Sequence, residues 1–278
     1  MSDDPAAAGR RVVSRRREWR VTSANEWSVE DTELRARRAA SFGAEAAAYD
    51  EHRPDYPLAG IRWALEPLGK PDPEVLDLGA GTGKLTAGAL AVGARVTAVE
   101  PDDGMRAAFA TRYPGLTALA GTAESIPLPD DSVDAVLVGQ ALHWFDQERA
   151  FPEIARVLRP GGVLAAFWNT HAVDVEWVAE LDRVSRSGVS FQTRTDRGMP
   201  SHPLFEEFER SDFPHGQRRT VESLTATIGT HSHTLVVSPR ERTELLGRIT
   251  EYLRGIPETA AGEFDLPLRT LVIRAMPR

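Results

Sequence analysis

The stretch of this 278-residue sequence whose residue types and spacing point most directly to chemistry is Asp77-Leu78-Gly79-Ala80-Gly81-Thr82-Gly83-Lys84. Glycines at alternate positions allow a tight bend and a close approach of backbone to ligand. The loop lies between a short apolar run, Glu74 to Leu78, and a helical stretch, Leu85 to Val92. The start of that helix offers N–H groups with no partner inside the helix. A phosphate loop needs four residues between its glycines and then Lys-Ser/Thr. Here three residues separate Gly79 from Gly83, and Leu85 follows Lys84. A dinucleotide loop needs its third glycine one place later than Gly83, and Lys84 holds that place. With an acid just before it, the loop points to another ligand class. Glu100 ends the next strand, and its two carboxylate oxygens suit the two hydroxyls of a ribose. That acid indicates a nucleoside without saying which.

The elements that must position these residues alternate. Strands are expected at 74–78, 95–100, 116–120 (weak), 133–138 and 163–168. Helices are expected at 85–92, 102–112 and 147–158, the last closed by Arg159-Pro160-Gly161-Gly162. Strands alternating with helices imply a parallel sheet with right-handed crossovers. Upstream, residues 43–50 read as a helix stopped at Arg53-Pro54, and Pro57 to Leu68 as another. Downstream, helix is expected at 173–184 and 239–253, and strand at 213–219 and 264–275. Between them, 187–200 reads as a polar excursion.

Composition bounds the function. Hydrophobic residues make up 41% and charged residues 27%, as in ordinary globular proteins. The sequence has no cysteine, which excludes disulfides, thiolate metal sites and a cysteine nucleophile. No run of about 18 apolar residues marks a membrane span, and no signal peptide is evident, so a cytoplasmic protein is expected. The net charge of −8 argues against nucleic-acid binding. Residues 1–40 differ from the rest. Arg10, Arg11, Arg15, Arg16, Arg17 and Arg20 crowd a stretch with little apolar periodicity, which is expected to be a disordered, solvated tail. His231-Ser232-His233 has no third ligand in sight, and no metal is expected.

From residue 41 the chain resembles class I S-adenosylmethionine-dependent methyltransferases. The likeness is closest to the small-molecule, type 11-like kind with an Ala-x-His-Trp motif. Five segments carry it in order: Val75 to Gly83; Val99-Glu100-Pro101-Asp102 with Met105; Ala120 to Leu128; Ser132 through Ala141-Leu142-His143-Trp144 to Asp146; and Arg156 to Gly162. Ser41-Phe42-Gly43, Tyr49, Arg53-Pro54 and Tyr56-Pro57 add to it. The resemblance implies a Rossmann-like α/β fold of seven strands, mostly parallel with an antiparallel last strand and helices on both faces. It implies a cofactor core at 74–168, with 169–278 on the substrate side. S-adenosylmethionine would be the cofactor. Gly79, Ala80, Gly81 and Gly83 would pass under its methionine moiety, and Asp77 would meet the amino group. Glu100 would hold the ribose, and Met105, Ala123 and Glu124 would surround adenine. Gln140 would line the site, while Tyr49 and Arg53 would close over it.

A small-molecule acceptor is implied, with His143 as candidate base and Trp144, Trp168, His171, His231 and His233 as possible pocket residues. Thr170-His171-Ala172 stands where the subfamily often has an acid, so the acceptor pocket is expected to differ. Competing readings are a cofactor-binding protein without transfer activity, a nicotinamide oxidoreductase, and a macromolecule methyltransferase guided by the arginine tail.

Overall fold

The computed structural model describes residues 53–187 and 201–278. The expected tail, the expected helix at 43–50 with Tyr49, and nearly all of the expected excursion lie outside the described residues.

Strands β1 (Glu74–Leu78) and β4 (Val133–Gly139) are almost wholly buried. Continuous apolar runs of this kind suit a parallel sheet covered on both faces. With β2 (Arg95–Val99), β3 (Ala118–Leu119), β5 (Leu158–His171), β6 (Glu209–Arg219) and β7 (Phe264–Ala275) they form one sheet, ordered β3-β2-β1-β4-β5-β7-β6. The pairs from β3 to β5 are parallel, while β7 runs antiparallel to both β5 and β6. The expected sheet, with its antiparallel last strand, is therefore present. The order reverses between β1 and β4, which opens a crevice at their carboxyl ends.

Helices cover both faces because alternate strand residues point opposite ways. Val136, Val138, Leu164 and Ala166 pack with Phe151 and Ile154 of α4 (Gln147–Val157). Ala135, Leu137, Val163 and Ala165 pack with Ile61 of α1 (Leu58–Leu65) and Leu85 of α2 (Lys84–Ala91). On α3 (Asp103–Arg112), Phe109 is fully buried beside Ala80 and Ala98. A third core joins Leu266 and Leu268 of β7 to Leu181 of α5 (Glu176–Val184), Leu224 of α6 (Val221–Gly229), and Leu245 and Ile249 of α8 (Pro239–Gly255). Two four-residue helices, α7 (Ser232–Leu235) and α9 (Pro257–Ala260), complete the set.

The structure differs from the sequence reading at several ends. β5 runs well past the expected 163–168, because β7 pairs along it as far as His171↔Leu268. The Arg-Pro-Gly-Gly segment is absorbed into β5 through a register shift opposite Val133–Ala135. β6 begins at Glu209, four residues early, and carries charged residues because it is an edge strand. Helix α5 starts at Glu176, not at Val173. Helix α6 was not expected. Its start is marked by a reciprocal cap, in which Thr220 Oγ1 accepts from the Ser223 N–H and Ser223 Oγ accepts from the Thr220 N–H.

Candidate functional site

At the crevice, β1 runs into the glycine loop. Gly79, Gly81 and Gly83 have φ of 72°, 56° and 89°, a region that strongly favours glycine. The N–H groups of Gly79 and Ala80 both donate to the carbonyl of Val99, at 2.8 and 3.1 Å, which stitches the loop to β2. Two of the glycines are required by neighbours. A Cβ on Gly83 would sit 2.4 Å from the Tyr113 ring, and one on Gly79 would sit 3.0 Å from Ala141 Cβ. A Cβ on Gly81 would meet nothing within 4 Å. Gly81 is thus the point where the loop backbone faces open space.

Two acids flank that opening. Asp77 is 1% exposed. Its Oδ2 accepts from Thr86 Oγ1 at 2.6 Å, while its buried Oδ1 has no protein partner. Burial pushes its pKa up from 3.8 to about 7, against the opposing Thr86 hydrogen bonds. The buried hydroxyl of Thr82 also has no protein partner. Glu100 accepts from the N–H of Gly81 at 2.9 Å and of Asp102 at 3.0 Å. Its pKa is raised by burial, with those two hydrogen bonds acting the other way. Asp102 caps α3 by accepting from the Met105 N–H at 2.8 Å, which brings the buried Met105 next to this edge.

The remaining candidates ring the carboxyl ends of β3, β4 and β5. Ala123 is buried. Glu124 accepts from the Asp146 N–H at 2.9 Å, tying the segment after β3 to the segment after β4. Gln140 has φ of +56°, unusual for a side-chain-bearing residue. Its N–H donates to Phe167 O at 2.8 Å and its Nε2 to Asn169 O at 3.2 Å. His143 lies on a short 3-10 turn, Leu142–Trp144, with its ring 4.6 Å from that of Trp144. The guanidinium of Arg53 donates to the carbonyl of Thr230 at 3.1 Å, just past α6. His171 is held below its ordinary pKa mainly by burial, and its ring lies 6.5 Å from that of His231. Trp168 packs against the core on the α4 face. Tyr49 lies outside the described residues, as does the side chain of His233.

Several participants were missed in the sequence. Thr86, Tyr113, Asn169 and Thr270 hold the loop and the strand ends by hydrogen bonds. Their partners are remote in sequence, so no local motif marks them.

This donor and acceptor set suits one kind of ligand. A buried, unsatisfied carboxylate oxygen at the loop mouth calls for a donor, best a cationic amine. The same oxygen repels a pyrophosphate. The ammonium of Lys84 is not free to offset it, being 3.2 Å from Asp55 Oδ1. Glu100, at the end of β2, offers acceptors where a ribose edge would lie. Sheet order, switch point and acid-flanked glycine loop together define a methyltransferase-type α/β nucleoside fold.

Comparison with known proteins agrees. A methyltransferase domain model matches residues 76–166. An uncharacterized methyltransferase of Mycobacterium tuberculosis is 40% identical over 237 residues, covering 84% of this chain and 95% of that protein. An uncharacterized methyltransferase-like protein of Schizosaccharomyces pombe is 32% identical over 224 residues, covering 78% and 87%. A solved structure described as a type II methyltransferase from Anaeromyxobacter dehalogenans superposes with a TM-score of 0.65 at 30% identity, covering 81% of this chain and 97% of that one. The chain belongs to the class I S-adenosylmethionine-dependent methyltransferases. Among the described residues, no helix is long and apolar enough to cross a membrane.

Proposed function

We propose that this protein transfers the methyl group of S-adenosylmethionine to a small-molecule acceptor. The observation that carries this reading is the pair of acids around Gly81. Asp77 has an open buried oxygen, and Glu100 has two oxygens held by loop and cap N–H groups. In this reading Gly79, Ala80, Gly81 and Gly83 form the floor under the methionine moiety, and Asp77 Oδ1 receives its ammonium. Glu100 keeps its two N–H partners and offers its remaining lone pairs to the ribose hydroxyls. Met105, Ala123 and Glu124 border the adenine, and Gln140 borders the reacting centre. Arg53 and Tyr49 belong to the segment that closes the site.

The cofactor supplies a methyl group already activated on a positive sulfur. Once bound, it would give that methyl to the acceptor's nucleophilic atom, and the sulfur would keep the bonding pair as a neutral thioether. The protein's part is chiefly alignment, which supplies roughly 7–11 kcal/mol when reacting atoms are held well. A base is needed only for acceptors that must lose a proton, and His143 is the candidate beside the end of β4. Its ring lies tilted against that of Trp144, 4.6 Å between centroids.

The test is calorimetric titration with S-adenosylmethionine, S-adenosylhomocysteine and NADH, on the wild type and on Glu100→Ala. Transfer of labelled methyl to an acceptor panel then follows. The sulfur nucleosides alone are expected to bind, roughly tenfold or more weakly in the variant, as suits the loss of hydrogen bonds to a charged group. Binding of NADH in their place, or of none of the three, would overturn the cofactor assignment. Tight binding with no transfer to any acceptor would leave a cofactor-binding protein that does not methylate.

A further inference from the structure

Residues 53–56 cross the carboxyl edge of the sheet as a strap. Asp55 pairs with Lys84, the residue after the glycine loop. Tyr56 is buried edge-on against Phe167 of β5, 5.7 Å between centroids. Its hydroxyl lies so close to Gly139 that a Cβ there would be 2.8 Å away. Arg53 reaches Thr230 beyond α6. The strap thereby touches the ends of β4 and β5, the start of α2 and the C-terminal helices.

One side chain holds its middle. Asn169 Nδ2 donates to the carbonyls of both Pro54 and Asp55, at 3.2 Å each. The other end of the amide is oriented from beneath. Its Oδ1 accepts from Thr270 Oγ1 at 2.5 Å, Thr270 being fully buried and directly opposite on β7. A threonine hydroxyl has one proton. With that proton on Asn169, the 2.9 Å contact between Thr270 Oγ1 and His215 Nε2 requires the imidazole to donate. The direction of every bond is then set from β6 to the strap, and the amide cannot flip without facing two carbonyls with its own oxygen. The main-chain carbonyl of Asn169 also accepts from Gln140 Nε2, and Gln140 has left-handed backbone.

Building on the proposed cofactor reading, we infer that Asn169 is a positioning residue for methyl transfer, its side chain holding the 53–56 strap closed at the cofactor edge. It acts through the strap. Its amide donors, oriented by Thr270 and His215, set the fraction of molecules whose site is formed. Apparent affinity falls in proportion to that fraction.

Asn169→Asp keeps the shape, removes both donors and turns a carboxylate toward two carbonyl oxygens. Thr270→Val removes the orienting hydroxyl, and Thr270→Ser retains it. The probe is S-adenosylhomocysteine titrated calorimetrically into each full-length variant. Amide exchange is followed at Asp55 and Tyr56, and the melting temperature is recorded. Asn169→Asp and Thr270→Val are expected to raise the dissociation constant about tenfold if the closed fraction falls to about a tenth. Both should speed exchange in the strap, and Thr270→Ser should stay close to wild type. Dissociation constants within twofold of wild type for both disruptive variants would overturn the inference, as would a loss of melting temperature alone. If Asn169→Asp fails to fold, the valine and serine pair decides by the same criteria. A wild type that binds no S-adenosylhomocysteine would instead sink the cofactor reading, and the inference with it.

Discussion

Asp77 shows how much a residue's chemistry depends on its surroundings. In water its carboxyl would be ionised well below neutrality, but in this core burial lifts its pKa to about 7. An acid with a raised folded pKa supports the fold fully only below its unfolded pKa, and that support is lost as pH rises through the folded value. Between about pH 4 and pH 7 this group should make the ligand-free protein progressively less stable relative to Asp77→Asn. The full difference is on the order of 4 kcal/mol. Thermal melts of the two proteins across that range check the sign, since a gap that narrows or reverses in the variant's favour as pH rises is expected. An ammonium placed at Oδ1 would drive the proton off. Cofactor binding near pH 6.5 is therefore expected to release protons, seen as a dependence of the titration heat on buffer ionisation enthalpy, and Asp77→Asn should abolish that dependence.

The glycine loop behaves as an element whose residues have divided duties. Gly81→Ala and Gly83→Ala both place a side chain at positive φ, which costs roughly 1–2 kcal/mol. Only at Gly83 does the new methyl strike a packed ring, 2.4 Å from Tyr113. Gly83→Ala is therefore expected to lose the additional ~1–3 kcal/mol of overpacking and to melt distinctly lower. Gly81→Ala, whose methyl enters open space, should melt higher than Gly83→Ala yet bind S-adenosylmethionine at least as poorly. Melting curves beside calorimetric titrations separate the two. Equal melting temperatures would remove the packing argument. Helix α6 illustrates the converse, an element fastened at both ends. Thr220 and Ser223 cap its start, while Arg53 and Arg242 donate to the carbonyls of Thr230 and Gly229 at its finish. Cations at that end also meet the negative pole of the helix.

At the scale of the molecule, the β6–β7 pair extends past the last β5 partner, from His171↔Leu268 on to Arg219↔Phe264. Its inner face carries α6 and α8 through Leu266 and Leu268. The net charge of −8 gives nucleic acid little attraction, despite the arginine-rich residues 1–40. Removing residues 1–40 is expected to leave the affinity for S-adenosylmethionine and the kcat/KM for a small acceptor within about twofold, a change as small as surface substitutions far from a site produce. A large loss confined to a macromolecular substrate would favour a tail-guided enzyme instead.

What the sequence determined by itself was the local elements and the glycine-loop conformation. The glycine spacing with Asp77, the acid ending β2, and the alternation of apolar runs all act over a few residues, so β1, β2, β4, β7 and α8 were legible to within about two residues. Less was legible where burial comes from distant partners. β6 reads as polar because it is an edge, and β5 gained its length from antiparallel pairing with a strand roughly a hundred residues away. Helix α6 is announced only by a Thr-Ser cap that lacks the usual acid or amide. Only the tertiary structure could show that Arg53 reaches Thr230 or that Asn169 spans the strap and β7. Hydrogen bonds between residues far apart in sequence leave no local signature, because each partner's type is ordinary by itself and acquires its role from the neighbour that folding supplies.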